Sequence, residues 1–426
     1  MRDMGRSDDP RVQAQLDRLG SLSIQRDTLG LDAIQELMRQ LGDPHKRLPP
    51  VFHVAGTNGK GSTCAFLRAM LEAERYKVHV TTSPHLVRYN ERFRVAGKLI
   101  EDARLAELLE QVFDAAEGLD CSFFEISIAA AFVEFARVPA DACVVEVGLG
   151  GRLDATNVLE PGALAACGIA ALGIDHEKFL LAPEEGVPQE PMARIAFEKA
   201  GIAKQGVPLV TIAQPEQEKQ AIEAVANAAG APVFVASRVD GRELALPGEH
   251  QGLNAGLAIA MLRSQSKIDV SDNAVAVGLR TASWPARLHR LADGPLTQGR
   301  EVWLDGGHNA SAGAMLGAYF AGHKVHLVIG MIEGKDPASL VAPLAASLET
   351  ITVVPVPGFP CHPPEAFGAT AASASDVSKA FGATAASASD VSKAIDRLRD
   401  DGLPVLIAGS LYLAGEVLRL NDEIPD

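Results

Sequence analysis

The stretch that most constrains this chain covers residues 51–63 and reads VFHVAGTNGKGST. A short apolar run enters a turn with three glycines and an apolar helical pattern follows directly, which predicts a strand, a turn and a helix. Glycine lets backbone N–H groups turn towards one point, and the start of a helix adds partial positive charge. Lys60 adds a full positive charge, and the Ser62 hydroxyl can reach a metal ion. We therefore predict a site for a polyphosphate and its magnesium ion, formed by Gly56, Thr57, Asn58, Gly59, Lys60, Gly61 and Ser62.

The spacing of this turn is not the usual G-x-x-x-x-G-K-[ST] of nucleotide triphosphatases. The chain has Gly56-x-x-Gly59-Lys60-Gly61-Ser62 instead, so that general label does not follow. The alternative interpretation is a glycine-rich turn that binds nothing. We favour the phosphate site because the lysine and the serine both stand where such a site needs them.

Composition limits the class of protein. The chain has 426 residues, 47% of them apolar and 22% charged, and this predicts two domains with sizeable cores. Its net charge of −15 argues against general nucleic-acid binding and against attraction to anionic membranes. Five scattered cysteines without a C-x-x-C pair, a polar N-terminus and the lack of an apolar run of about 18 residues predict a cytoplasmic protein with reduced thiols.

Strand and helix patterns alternate along most of the chain, which predicts an α/β fold with mainly parallel sheets. Ser83 follows a short predicted strand, and Glu146 interrupts an apolar strand that begins at residue 142. Ligands of such sheets bind at the carboxyl ends of the strands. An ionised carboxylate in an apolar strand is costly unless it is paired or bound to metal, so Glu146 is either a magnesium ligand or part of a salt bridge. Ser83 is either a second ligand or a loop serine that bonds the backbone.

Three further segments, together with the glycine turn, resemble one family of ATP-dependent amide ligases. They are TTSPHL at residues 81–86, GLGGRLDATN at 148–157 and DGGHN at 305–309. The turn is similar to the ATP loop of Mur-ligase-like enzymes, and the other segments resemble folylpolyglutamate synthase/dihydrofolate synthase. The resemblance covers nearly the whole chain.

The resemblance implies two α/β domains. Residues 1–294 would form a Mur-ligase-like domain with a mainly parallel sheet that binds ATP and folate. Residues 295–426 would form a smaller, Rossmann-like domain for glutamate ligation, with the active site in the cleft between the two. The polar, Gly- and Pro-containing stretch 291–300 is the predicted junction.

The resemblance also implies roles for individual residues. Predicted magnesium ligands are Ser62, Ser83, Glu146 and His176. Beyond the turn, the residues expected to contact ATP are Asn254, Arg287 and Asp305. The pterin or folate is expected to contact Leu29, Gly30, Ser122, Phe124, Arg152 and Asp154, and the glutamate His308 and Ser410. The predicted catalytic residues are Lys60, His176 and Lys199.

Structural alternatives stand beside several of these roles. Oxygen ligands dominate magnesium sites, so the role of His176 depends on the resemblance alone. Phe124 fits a core position at least equally well. Lys199 is commonly carbamylated in the family, but it can equally form a surface ion pair with Glu198. The Arg152 guanidinium can bind a substrate carboxylate in a bidentate manner.

Two segments depart from the family pattern. LLAPEEGVPQEP at residues 180–191 is longer and richer in proline than the usual link before IAFEKAGI. The sequence AFGATAASASDVSK occurs at 366–379 and again, unchanged, at 380–393. We interpret the extra copy as a surface insertion without chemistry, because loop closure costs little for added length.

The activity that the resemblance implies is amide formation driven by ATP and assisted by Mg²⁺ as cofactor. The γ-phosphoryl group passes to a substrate carboxylate, and the amine of L-glutamate attacks the acyl phosphate. The expected small-molecule partners are ATP, L-glutamate, dihydropteroate and reduced folate. We expect the protein to be a monomer with no nucleic-acid or membrane partner. The alternatives are another Mur-type amino-acid ligase and a non-catalytic ATP-binding protein.

Overall fold

The structure is a computed structural model that describes residues 7–22, 30–240, 244–367 and 384–426. Leu29 and most of the first repeat copy lie outside the described residues. Contacts divide the chain into two compact units. The first consists of Met1–Ala245 with His250–Ser283, and the second of Leu246–Glu249 with Trp284–Pro425.

The first unit is built on one sheet whose order is β4-β3-β2-β5-β1-β6-β7-β8. β3 pairs in an antiparallel manner with both of its neighbours, β2 and β4; the other pairs in this sheet are parallel. The strands are β1 (Val51–Ala55), β2 (Val78–Thr81), β3 (Arg94–Val95), β4 (Lys98–Leu99), β5 (Ala142–Glu146), β6 (Leu164–Ile169), β7 (Leu209–Thr211) and β8 (Val233–Val235). The prediction of a mainly parallel sheet is confirmed.

Ten α-helices belong to the described part of this unit. They are α1 (Pro10–Ser21), α2 (Asp32–Gln40), α3 (Lys60–Ala73), α4 (Asp102–Ala115), α5 (Phe123–Arg137), α6 (Glu177–Leu180), α7 (Pro191–Ala200), α8 (Glu216–Ala229), α9 (Gln251–Arg263) and α10 (Asp272–Thr281). Local signals explain where several begin: Asp9 accepts backbone hydrogen bonds ahead of Pro10, and Ser122 and Glu125 form a capping box.

The central strand β1 is buried at all five positions, as expected for a strand covered on both faces. Its neighbours are β5 and β6, with Val54 opposite Glu146 on one side and Gly168 on the other. Because these strands are parallel, the residues that follow them emerge at one edge of the sheet. The glycine turn after β1 lies at this edge.

The second unit has a sheet of order β13-β12-β11-β14-β10-β9, parallel except for the β9–β10 pair. Its strands are β9 (His289–Arg290), β10 (Val302–Asp305), β11 (Val325–Ile329), β12 (Leu348–Val353), β13 (Thr384–Ser387) and β14 (Val405–Ala408). Its described helices are α11 (Ala310–Tyr319), α12 (Pro337–Val341), α13 (Val391–Asp396) and α14 (Leu411–Leu420). The second repeat copy supplies β13 and the start of α13, so it contributes to the sheet of this unit.

The stretch 291–300 does not separate the units; it connects β9 to β10 inside the second one. The Leu291 N–H donates to the Val302 carbonyl at 2.9 Å, which continues the antiparallel pairing. The side-chain oxygen of Asn421 accepts from the N–H groups of Leu296 and Thr297 at 3.2 and 3.3 Å. These bonds hold the stretch against the second unit, and contacts place the division between Ser283 and Trp284. None of the helices in the described ranges has the length and apolar character that a membrane crossing requires.

Close packing of α10 on α3 generates a stability prediction. A Cβ added at Gly278 would lie 2.6 Å from the Cα of Met70. Gly278→Ala should therefore lower the free energy of unfolding by about 1–2 kcal/mol, because the overlap outweighs the gain in helix propensity. Denaturant unfolding followed by circular dichroism measures it. Gly20→Ala is the matched control, since nothing lies within 4 Å of a Cβ there; equal effects of both substitutions would contradict the prediction.

Candidate active site

The glycine turn is fixed by contacts with the segment after β6. The N–H groups of Thr57 and Asn58 donate to the Ala171 carbonyl at 2.8 and 3.1 Å. The Thr57 hydroxyl donates to the Gly173 carbonyl at 2.8 Å. Gly59 has φ +84°, and a Cβ there would overlap the side-chain oxygen of Asn254. A larger residue at Gly59 would therefore distort the turn.

Lys60 begins α3 and folds its side chain back over the turn. Its Nζ donates to the Gly56 carbonyl at 3.0 Å. The ammonium group thus lies beside the backbone that precedes the helix, where the partial positive charge of the helix start is also felt. This arrangement is suited to a polyphosphate.

A chain of amide hydrogen bonds connects Asn254 to Ser62. Asn254 Nδ2 donates to Gln251 Oε1 at 2.9 Å, and Gln251 Nε2 donates to Ser62 Oγ at 3.3 Å. Since Ser62 Oγ accepts this bond, its proton and second lone pair point elsewhere. The sequence analysis missed Gln251; the available signal was a second amide side chain three positions before Asn254, on the same helix face.

Ser83 and Glu146 lie together at the carboxyl edge of the first sheet. The Ser83 N–H donates to Glu146 Oε2 at 3.1 Å, and Glu146 is 5% exposed. A small cavity includes both residues and the ring of Phe124. Hydroxyl and carboxylate oxygens are suitable ligands for a hard divalent cation, so Ser83 and Glu146 fit such an ion, and the Ser62 hydroxyl has the same chemistry.

His176 lies in a different setting from the other three predicted metal ligands. It precedes α6 in a left-handed backbone conformation, and its side chain is 43% exposed. Its Nε2 is 4.0 Å from Asp175 Oδ2. In the described ranges, no group of three or more His, Cys, Asp or Glu residues could hold a metal. A cation at this edge would therefore need phosphate and water oxygens in addition to ligands from the protein.

Lys199 is buried, and so is Glu198, both at 3–4% exposure. The alternative of a surface ion pair between them is therefore wrong. Burial, with a smaller contribution from the charge of Lys60, lowers the pKa of Lys199 to about 7, while Asp175, Asp154 and Glu198 oppose that shift. Lys199 therefore has an unusually large neutral fraction at neutral pH.

Asp154 organises the loop that follows β5. Its Oδ2 accepts from the Leu149 N–H at 2.8 Å, and its Oδ1 accepts from the N–H and hydroxyl of Thr156. His53 of β1 completes the network, with Nε2 2.8 Å from the Thr156 hydroxyl. The Thr156 hydroxyl donates its proton to Asp154. It therefore accepts a hydrogen bond from the N–H at His53 Nε2. Burial lowers the pKa of His53 to about 3 and raises that of Asp154. Sequence offered no signal for His53 or Thr156.

The remaining residues that were predicted to contact the pterin differ in the contacts that they already make within the protein. The Ser122 hydroxyl caps α5 by accepting from the Glu125 N–H at 3.3 Å. Phe124 packs so closely on Gly148 that a Cβ there would overlap its ring. Arg152 makes ion pairs with Glu184 and Glu198 at 2.6 and 2.9 Å. Gly30 is the first described residue of its segment, and no atom of the described residues lies within 4 Å of a Cβ added there.

In the second unit, Asp305 ends β10 fully buried. Its two carboxylate oxygens accept from the N–H groups of Gly307 and Leu288 at 2.7 and 2.8 Å. Burial raises the pKa of Asp305, and the charge of Arg287 opposes that shift. Arg287 and Asp305 are therefore close enough to interact.

His308 and Ser410 follow neighbouring parallel strands of the second unit. Asp305 of β10 pairs with Ala408 of β14, and the Gly409 N–H donates to the Gly307 carbonyl at 3.1 Å. The Ser410 hydroxyl accepts from the Tyr412 N–H at 3.2 Å, which caps α14 and leaves the hydroxyl proton free to donate. The two residues thus emerge at the same edge of the second sheet.

Comparisons with known proteins show relatives along nearly the whole chain. Residues 295–420 match the family described as dihydrofolate synthetase, C-terminal domain. The chain is 31% identical over 432 residues to the dihydrofolate synthetase of Saccharomyces cerevisiae, covering 92% of this chain and 98% of that protein.

Two solved structures are similar over both units. Escherichia coli FolC in complex with DHPP and ADP gives a TM-score of 0.81 at 30% identity, covering 96% of this chain and 97% of that one. A bifunctional folylpolyglutamate synthase/dihydrofolate synthase with Mn, AMPPNP and L-glutamate bound gives 0.77 at 29% identity, with the same coverage. The chain belongs to the dihydrofolate synthase/folylpolyglutamate synthase family, whose members are ATP-dependent ligases.

Proposed function

We propose that the protein joins L-glutamate to dihydropteroate, and to reduced folates that already carry glutamate, in a reaction driven by ATP. The observation that carries this proposal is the convergence of the glycine turn, Ser83 and Glu146 at one edge of the first sheet. The relatives support it, since one was solved with DHPP and ADP and another with Mn, AMPPNP and L-glutamate.

The chemistry needs an activated carboxylate, because a carboxylate does not react with an amine at neutral pH. A substrate carboxylate oxygen attacks the γ-phosphorus of ATP, ADP leaves, and an acyl phosphate forms. The glutamate amine then attacks the acyl carbon and loses a proton, and phosphate leaves. Positioning and charge stabilisation suffice for both steps, so no side-chain nucleophile is required.

Residues of the first unit would hold the nucleotide and its cation. The N–H groups of the turn and Lys60 would bind the phosphates, and Asn254 the adenine. Ser62, Ser83 and Glu146, with His176, would hold a divalent cation, magnesium in our proposal, that offsets the charge of the reacting phosphates. The manganese ion in the related structure supports a divalent cation at such a site.

We assign the contacts with the other substrates separately to residues of the first and of the second unit. We propose that Phe124 and Arg152, with Gly30 and Ser122, contact the pterin or folate, and that Asp154 supports that contact through its loop. His308 and Ser410 would bind glutamate, and Asp305 and Arg287 the nucleotide. The glutamate-binding part would begin near residue 295, where the match to the C-terminal domain begins.

We further propose that the protein works as a monomer in the cytoplasm. All five cysteines are free thiols, four of them buried, and this is usual for a reducing compartment.

The proposed activity is tested by omitting each substrate in turn. Protein is incubated with ATP, Mg²⁺, dihydropteroate and L-glutamate, and ADP and dihydrofolate are measured. We expect the ADP released in the full mixture to equal the glutamate joined to dihydropteroate and to its glutamylated products, and far less ADP when dihydropteroate or glutamate is omitted. Lys60→Ala should lower turnover by about 100-fold or more at an unchanged melting temperature. Equal ADP release without glutamate would contradict a ligase, and activity with other carboxylate acceptors only would favour another Mur-type ligase.

We also propose that Lys199 is carbamylated. Its neutral amine would attack the carbon of CO₂ and release a proton, giving a carbamate anion able to assist the cation. Because the pKa of Lys199 is lowered to about 7, the reactive neutral form is present above that pH and is lost below it.

The carbamate is tested by ¹³C NMR with labelled bicarbonate. The carbonyl signal should rise several-fold between pH 6 and pH 8, in step with the neutral fraction of Lys199. Lys199→Met should abolish it, whereas Lys219→Met, whose side chain is 47% exposed, should leave it unchanged. A signal that persists in Lys199→Met, or that does not vary with pH, would rule out the proposal.

A further inference from the structure

Four charged side chains of the first unit form a closed group, which we call the charge cluster: Arg152, Glu184, Arg194 and Glu198. Arg152 Nη2 lies 2.6 Å from Glu184 Oε2 and 2.9 Å from Glu198 Oε1. Arg194 Nη2 lies 2.6 and 3.0 Å from the same two oxygens. Each arginine is therefore paired with both glutamates, and the two positive charges balance the two negative ones.

The members of the charge cluster differ in their access to solvent. The side chains of Arg194 and Glu198 are 6% and 5% exposed, so they form its buried base. Arg152 is 26% exposed and Glu184 is 40% exposed. Glu184 is therefore the member that an incoming ligand can replace, and Arg152 is the cation that such a ligand can reach.

Glu184 is held in place by a braced turn. It belongs to the proline-containing residues 180–191. The Gln189 side chain donates to the carbonyls of Glu184 and Val187 at 3.1 and 2.8 Å. Arg194 Nε donates to the Leu180 carbonyl at 3.2 Å, and Glu190 caps α7 by accepting from the Ala193 N–H at 2.7 Å. The turn is thus bonded at both ends and within.

The position of Glu184 on Arg152 is one that a carboxylate ligand would take. Guanidinium groups bind carboxylates through paired N–H bonds, whether the carboxylate belongs to the protein or to a ligand. The ring of Phe197 supports this position, because it lies 5.3 Å from the guanidinium carbon of Arg152. A substrate carboxylate can bind Arg152 fully only when Glu184 gives way.

We propose that Glu184 is a specificity-determining residue that limits how many carboxylates the pterin substrate carries. A carboxylate beyond the reacting one can pair with Arg152 only by displacing Glu184, and Glu184, still paired with Arg194, repels it. The chain then favours dihydropteroate, with one carboxylate, over folates with glutamate tails. This inference rests on the proposed function, in which Arg152 contacts that substrate.

The test compares Glu184→Gln, which keeps the shape and removes the charge, with wild type. Dissociation constants of dihydropteroate and dihydrofolate diglutamate are measured by calorimetry with Mg²⁺ and ADP at low salt. We expect the ratio of the diglutamate constant to the dihydropteroate constant to fall about fivefold, the size expected for exposed charge interactions. Salt at about 0.5 M should remove most of this change by screening. In turnover, the KM for the glutamylated substrate should fall while kcat stays within about twofold.

Glu185→Gln is the matched control, because Glu185 is the exposed neighbour for which the described residues show no ion pair. It should leave the ratio unchanged. An unchanged ratio in Glu184→Gln, or an equal change in Glu185→Gln, would overturn the inference. A lower melting temperature with an unchanged ratio would do so too, by assigning the charge cluster to the fold alone. If wild type binds neither compound, the proposed function fails instead.

Discussion

The Glu146 carboxylate lies at the end of a buried strand. Its need for compensation is the constraint on which the candidate site of the first unit depends. An ionised group at 5% exposure is costly unless hydrogen bonds or a cation compensate it. The Ser83 N–H supplies one bond, and the parallel pairing of β5 with β1 and β2 sets this carboxylate beside the glycine turn. In our proposal, a divalent cation would compensate this charge further.

Other buried polar groups stabilise that edge of the sheet through hydrogen bonds. His53, Thr156 and Asp154 bond in sequence and hold the loop that continues from Glu146. Gln251 connects Asn254 to Ser62. Satisfied buried networks of this kind make a site rigid, because changing one member leaves another polar group without a partner. The edge is therefore prepared before any ligand arrives.

The residues that sequence predicted are those whose own type and neighbours carry the signal. The glycine turn and Glu146 were found because glycines, a lysine and a carboxylate stand out in apolar surroundings. His53, Gln251 and Glu184 were missed because their roles come from neighbours distant in the chain, such as Thr156, Ser62 and Arg152. The stretch 291–300 was interpreted as a junction from its Gly and Pro content, but its antiparallel pairing and Asn421 place it within the second unit. The α/β fold with mainly parallel sheets was predicted correctly because strand and helix periodicities alternate clearly.

The role of Glu146 at the cation is the central claim, and the magnesium dependence of the ligase reaction tests it most directly. Glu146→Gln keeps the size of the side chain and removes its charge. The account predicts that the Mg²⁺ concentration for half-maximal rate rises about tenfold or more, with little change in the melting temperature of the protein without ligands. A magnesium dependence equal to that of wild type would contradict it.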